Sequence, residues 1–145
     1  MSVRPPVLVR VKLPESQPSR NICSRPRRLR PEAKRQPASQ NAVLAGDPAK
    51  PGPYVVLTRW LKGNHFSRPH FHPNDRFITV LKGTWWVGTG NKFDPANTVP
   101  MPAGTVVTHY GKQVHWDGAK DEDAVLLIMG EGPATANPFI PASSK

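Results

Sequence analysis

Pro69-His70-Phe71-His72-Pro73-Asn74-Asp75-Arg76-Phe77-Ile78-Thr79-Val80-Leu81-Lys82-Gly83 opens on two histidines one residue apart, continues as a β-like segment and ends at a glycine. In an extended chain alternate side chains project to the same face. His70 and His72 therefore project together, with imidazoles close enough to share one metal ion. Neutral imidazole is the commonest nitrogen ligand for zinc, iron, copper and nickel. A lone His-x-His pair reads as ordinary surface histidines; the residues that follow it favour the metal reading.

Outward from this stretch, short strand candidates alternate with turns. Asn41–Leu44, Tyr54–Leu61, Arg76–Leu81, Thr84–Val87, Thr98–Met101, Thr105–His109, Gln113–Asp117 and Ala124–Met129 read as strands, rich in β-branched and aromatic residues. Asp47-Pro48-Ala49-Lys50-Pro51-Gly52-Pro53 is a dense turn, and Asn64 to Pro69 reads as a loop. Lys82-Gly83 is a hairpin signal, and the strands around Tyr110 to Gln113 are expected to form a tight pair. Strands with turn signals about every 8–12 residues suggest an all-β sandwich or barrel, and no helix of any length is expected. Trp85 and Trp86 are adjacent, so one fills the interior and the other covers the outside.

All five histidines lie between positions 65 and 115. One ion needs ligands that converge from different strands. His115, in Val114-His115-Trp116, is the best third ligand, with His109 as its competitor. A three-residue turn between their strands puts His109 and His115 on one side, and a four-residue turn puts them on opposite sides, since a one-residue slip reverses every side chain. His65 reads as a solvated loop residue.

These residues resemble the two metal motifs of the cupin superfamily. His70-x-His72 and Gly83 stand in register with the first motif, and Gly104 and His115 with the second. His-Pro-Asn-Asp, Val-Leu-x-Gly-Thr and Pro-Ala-Gly are similar to phrases of small single-domain bacterial cupins. The resemblance covers roughly residues 42–132. It implies a cupin-type double-stranded β-helix, or jelly-roll, barrel with His70, His72 and His115 as metal ligands. The pattern departs at Gly63, one residue too far upstream, at Arg76, which holds the glutamate position, and at Tyr110, Lys112 and Ala119 in the second motif. An arginine has no acceptor and cannot replace a glutamate ligand. Asp75 stands one residue early, on the other face of a regular strand unless a bulge redirects it. The implied centre has three histidines and open positions for water, substrate or dioxygen. Arg76 near the opening favours an anionic ligand; an ion pair with Asp75 or another acid is the plainer alternative.

A chain of 145 residues suits one domain. The net charge of +10 is uneven: residues 1–40 hold ten of the 20 basic residues and two of the ten acidic ones, together with seven prolines. That segment is expected to be a basic, Pro-rich disordered extension, with the barrel over 41–132 and an irregular C-terminal tail over 133–145. The charge thus belongs to the extension, which lacks the interleaved aromatic residues of a single-strand binder. No specific nucleic-acid partner is expected. The apolar run Ala124–Met129 is too short to span a bilayer, and Arg10 interrupts Val7-Leu8-Val9, so a cytoplasmic protein with no membrane partner is expected. Cys23 is the only cysteine, which excludes an intrachain disulfide and a cysteine-built zinc site.

The resemblance implies a divalent transition metal, iron, zinc, manganese or nickel, and a small-molecule ligand, with a homodimer as a compatible state. A metal-dependent enzyme of dioxygenase, isomerase or decarboxylase type is one reading. A non-catalytic metal or small-ligand binding module, or sensor, is the other. Fold does not decide between them.

Overall fold

β-Branched and aromatic residues punctuated by glycine and proline form strands and no helix in the computed structural model, which describes residues 37–140. The expectations for 1–36, most of the basic extension, and for 141–145 lie outside the described residues. The strands are β1 (Ser39–Ala45), β2 (Gly52–Trp60), β3 (His65–Phe66), β4 (His70–Phe71), β5 (Arg76–Lys82), β6 (Thr84–Thr89), β7 (Val99–Pro102), β8 (Val106–His109), β9 (His115–Ala119), β10 (Ala124–Gly132) and β11 (Asn137–Pro138). They form two antiparallel sheets, one in the order β1-β2-β10-β5-β8 and one in the order β11-β4-β9-β6-β7, with β3 also paired to β9.

Two expected hairpins are absent. β5 pairs with β10 and β8, whereas β6 pairs with β7 and β9, so Lys82-Gly83 is a corner that passes the chain from one sheet to the other. β8 and β9 likewise lie in different sheets, joined by a loop in which Lys112 has a φ of 65°. A turn signal reports reversal of the chain, not the sheet in which the next strand finds its partner. The chain is also more ordered at its ends than expected. β1 begins at Ser39, inside the segment read as an extension, and β11 lies inside the segment read as an irregular tail. His65 is half-buried in β3 rather than solvated in a loop.

The core lies between the sheets. Ile78 and Val80 of β5, Leu126 and Ala124 of β10, Trp60 of β2, Trp85 and Val87 of β6 and Ala119 of β9 form one buried cluster. Trp85 is fully buried, while Trp86 lies outward beneath Lys120, whose Nζ is 3.8 Å from the ring centroid. Alternation also turns Phe77 and Leu81 of β5 outward, where they join exposed Val106 and Met129 on the outer face of the five-stranded sheet.

Gly83 makes the corner between the sheets with a φ of 70°, and a Cβ there would collide with the carbonyl oxygen of Asp123. Gly90 has a φ of 109° but open space around it. Gly90→Ala therefore meets backbone strain alone, about 1–2 kcal/mol. Gly83→Ala adds roughly 1–3 kcal/mol of overpacking against a backbone that cannot yield. Urea unfolding of the two variants should rank them in that order; equal losses would mean that the corner is not held as described.

Candidate metal centre

The two sheets bring four imidazoles together at one end of the interior. His70 of β4 lies directly opposite His115 of β9 in the antiparallel ladder, and their ring centroids are 4.4 Å apart. His72, two residues beyond His70, returns to the same face, 4.9 Å from the His70 ring and 5.3 Å from that of His115. His109, at the end of β8, approaches from the other sheet with its ring 4.1 Å from that of His115. The loop between β8 and β9 thus sets His109 and His115 on the same side.

His70, His72 and His115 form a group whose candidate ligand atoms all lie within 4.8 Å of one another, the spacing at which a metal ion can be held. Each ring is oriented in the same way. Nδ1 of His70 is 2.8 Å from the carbonyl oxygen of Arg68, Nδ1 of His72 is 3.0 Å from that of Thr135, and Nδ1 of His115 is 3.0 Å from that of Gln113. A carbonyl oxygen only accepts, so each Nδ1 carries the proton. In a neutral ring that leaves the lone pair on Nε2. Nε2 of His72 and of His115 is buried with no hydrogen-bond partner, a state that polar groups rarely keep without reason. Carbonyl-oriented imidazoles with free inner nitrogens are the arrangement by which proteins prepare histidine for a metal.

His109 is built differently. Nη2 of Arg76 lies 3.2 Å from its Nδ1, and a guanidinium only donates. Nδ1 of His109 is therefore the acceptor, and the neutral ring carries its proton on Nε2, where a metal would need a lone pair. His109, the competitor for third ligand, stands outside the triad, although its Nε2 is likewise buried with no hydrogen-bond partner. Asp75 is exposed and accepts from the backbone N–H of Gly111 at 2.7 Å, so it turns away from the histidines toward the β8–β9 loop. Arg76 faces inward and forms no ion pair with Asp75; the ion pairs among the described residues are Lys50–Asp47 and Arg59–Asp123.

A cavity of about 420 Å³ opens beside the triad, with His70, His72, Arg76, Asp117, Trp60 and Ile128 in its wall. Asp117 is buried two residues after His115 on the same strand face. Its Oδ1 accepts from the Ser67 hydroxyl at 2.8 Å and its Oδ2 from Trp85 Nε1 at 3.1 Å. The two-residue spacing from His115 was the available signal for this carboxylate. Ala136 and Pro138, around β11, close one side of the cavity.

Burial lowers the pKa of His72 from 6.5 to about 3, aided by the positive charge of Arg76. Burial likewise holds His109 at about 2, with His115 and Arg76 adding to the effect. His115 lies at about 4, lowered by burial against the opposing pull of Asp117. The rings are thus kept neutral, as metal ligation requires.

No family model and no curated protein matches the chain. Solved structures do. The polyketide cyclase RemF of Streptomyces resistomycificus is 15% identical with a TM-score of 0.60, over 73% of this chain and 74% of that one. A cupin-like protein of Thermotoga maritima is 21% identical with a TM-score of 0.56, over 71% and 79%. KdgF of a Halomonas species is 17% identical with a TM-score of 0.51, over 67% and 83%.

The neutral histidines make stability depend on pH in a definite direction. Below pH 6.5 the unfolded chain binds protons on His72, His109 and His115 that the folded chain refuses until about pH 3, 2 and 4, respectively. Stability is complete above the unfolded value and is lost as pH falls through this window. The metal-free protein should show a falling Tm between pH 7.5 and 5 in thermal scans, and His109→Phe should flatten the fall. A Tm that holds level or rises toward pH 5 would contradict the burial of neutral rings.

Proposed function

We propose that this chain, which has the cupin jelly-roll fold, is a metal-dependent enzyme that acts on a small organic molecule at a centre formed by His70, His72 and His115. The observation that carries the reading is the orientation of the triad. Three Nδ1 atoms are spent on backbone carbonyls, and the buried Nε2 atoms of His72 and His115 have no partner. The three imidazoles fit a divalent transition metal such as iron, zinc, manganese or nickel, all of which accept nitrogen ligands. Such an ion would supply Lewis acidity toward a substrate oxygen.

The chain's own residues do the rest. Among the described residues no carboxylate completes the triad, which favours open positions toward the cavity. Arg76 supplies positive charge to the cavity wall and favours a ligand with negative charge. Trp60 and Ile128 supply apolar surface that helps to exclude water. The likeness to a polyketide cyclase supports catalysis in this fold. A non-catalytic binding module is the second reading, favoured by the arginine at the glutamate position; it predicts metal and ligand binding without turnover.

The outer face of the five-stranded sheet supports a homodimer. Its cross-strand rows Phe77–Met129–Val55 and Val106–Thr79–Leu127–Leu57 contain no charged residue, and a twofold axis lets one such face cover its copy. Light scattering should give twice the chain mass for the wild type and the single mass for Phe77→Lys. A monomeric wild type would remove this assignment.

Metal content tests the centre itself. The wild type, loaded with zinc and desalted, should retain one equivalent by elemental analysis. His70→Ala/His72→Ala should weaken binding by roughly 100-fold or more while near-ultraviolet circular dichroism remains native. Stoichiometric zinc in the folded double variant would remove the triad as the site.

A further inference from the structure

Tyr54, Gly130, Arg76 and His109 form one row across four strands, because Tyr54 pairs with Gly130, Gly130 with Arg76, and Arg76 with His109. Gly130 keeps the row open: a Cβ there would lie 3.0 Å from Tyr54 Oη. Arg76 is half-buried in this row, with one hydrogen bond from Nη2 to His109 Nδ1 and a buried Nε that has no partner. A guanidinium offers five N–H donors in a planar fork that matches a carboxylate. No carboxylate lies within 4.0 Å of it among the described residues. Asp117, the acid that shares the cavity wall, already accepts from Ser67 and Trp85.

The formal charges around the cavity make the case sharper. A divalent ion on three neutral imidazoles adds two positive charges, Arg76 adds one and Asp117 removes one, which leaves two uncompensated. A glutamate in place of Arg76 would have brought that sum to zero. Burying such an excess is costly unless an anion accompanies it.

His109 fixes where that anion sits. It is a positioning residue, with Nδ1 on Arg76 and its ring 4.1 Å from that of His115. The His109 ring thus lies between Arg76 and the His115 ring, while Arg76, His70 and His72 line one cavity. A carboxylate that takes Arg76 there can turn an oxygen on its adjacent carbon toward the triad. We propose that Arg76 is the anion receptor of the cavity and takes the carboxylate of a small 2-oxo or 2-hydroxy acid, whose neighbouring oxygen faces the His70, His72 and His115 triad. The assignment rests on the metal-centre reading for its second half and on Arg76 alone for its first.

The test titrates the full chain, loaded with cobalt(II), with pyruvate and with its uncharged analogue methyl pyruvate, followed by calorimetry and by the cobalt visible spectrum. Pyruvate should bind and change the spectrum. Methyl pyruvate should bind at least tenfold more weakly. Arg76→Gln should keep one cobalt per chain and lose at least tenfold in pyruvate affinity. Equal affinity for the two probes, undiminished pyruvate binding by the folded variant, or no pyruvate binding by the loaded wild type would overturn the inference. If the variant does not fold, the two probes on the wild type decide. If the wild type takes up no cobalt, the metal-centre reading fails; pyruvate against methyl pyruvate on the metal-free chain then still decides the role of Arg76.

Discussion

A backbone carbonyl can accept a hydrogen bond but cannot donate one, and this asymmetry organises the interior of the barrel. The carbonyls of Arg68, Gln113 and Thr135 hold the outer nitrogens of His70, His115 and His72. Each ring is thereby fixed in tautomer and in direction. The inner nitrogens of His72 and His115 are left without partners in a place where water does not reach them. The carbonyls of Arg68 and Gln113 lie two residues before the histidines they hold, whereas that of Thr135 comes from far along the chain, so the centre depends on the pairing of β4 with β9 and β11 in the six-stranded sheet. Thr135 is especially informative: its segment is held in place by the pairing of β11 with β4 and by the bond from Phe139 N to Pro69 O at 3.0 Å.

The same asymmetry separates the fourth histidine from the other three. Arg76 can only donate, so His109 must accept on Nδ1 and carry its proton on the inner side. Two neighbouring histidines, His109 and His115, thus face one interior with opposite tautomers although their rings are only 4.1 Å apart. The substitution of arginine at the position where the motif has glutamate accounts for this. It exchanges an acceptor for a donor and a negative charge for a positive one in the cavity wall.

Much of this was legible in the residues. His70 and His72 one residue apart on an extended segment and the bend at Gly83 were readable because each is a local demand on backbone or side-chain direction, whereas His115 entered as the better of two candidates, with the side taken by His109 left open. That Trp85 and Trp86 face opposite sides followed from strand alternation; which of them is buried did not. The pairing of strands was not readable. Lys82-Gly83 and Tyr110 to Lys112 signal reversals, yet both carry the chain between sheets, which is decided by the packing of Ile78, Val80 and Trp85 in one core. β11 was missed because two residues, one of them proline, carry no periodicity. The Tyr54–Gly130–Arg76–His109 row was hidden for a related reason: its register is set across four strands separated by dozens of residues.

The central claim is that the inner nitrogens of three particular imidazoles meet at one cation. A crystal structure of the zinc-loaded protein, with data at the zinc absorption edge to locate the ion, tests it most directly. The account predicts a single anomalous peak bonded to Nε2 of His70, His72 and His115, with Nδ1 of each still on its carbonyl, His109 still on Arg76, and at least one position open to the cavity. An ion held through Nδ1, through His109 or Asp75, or away from the triad would contradict it.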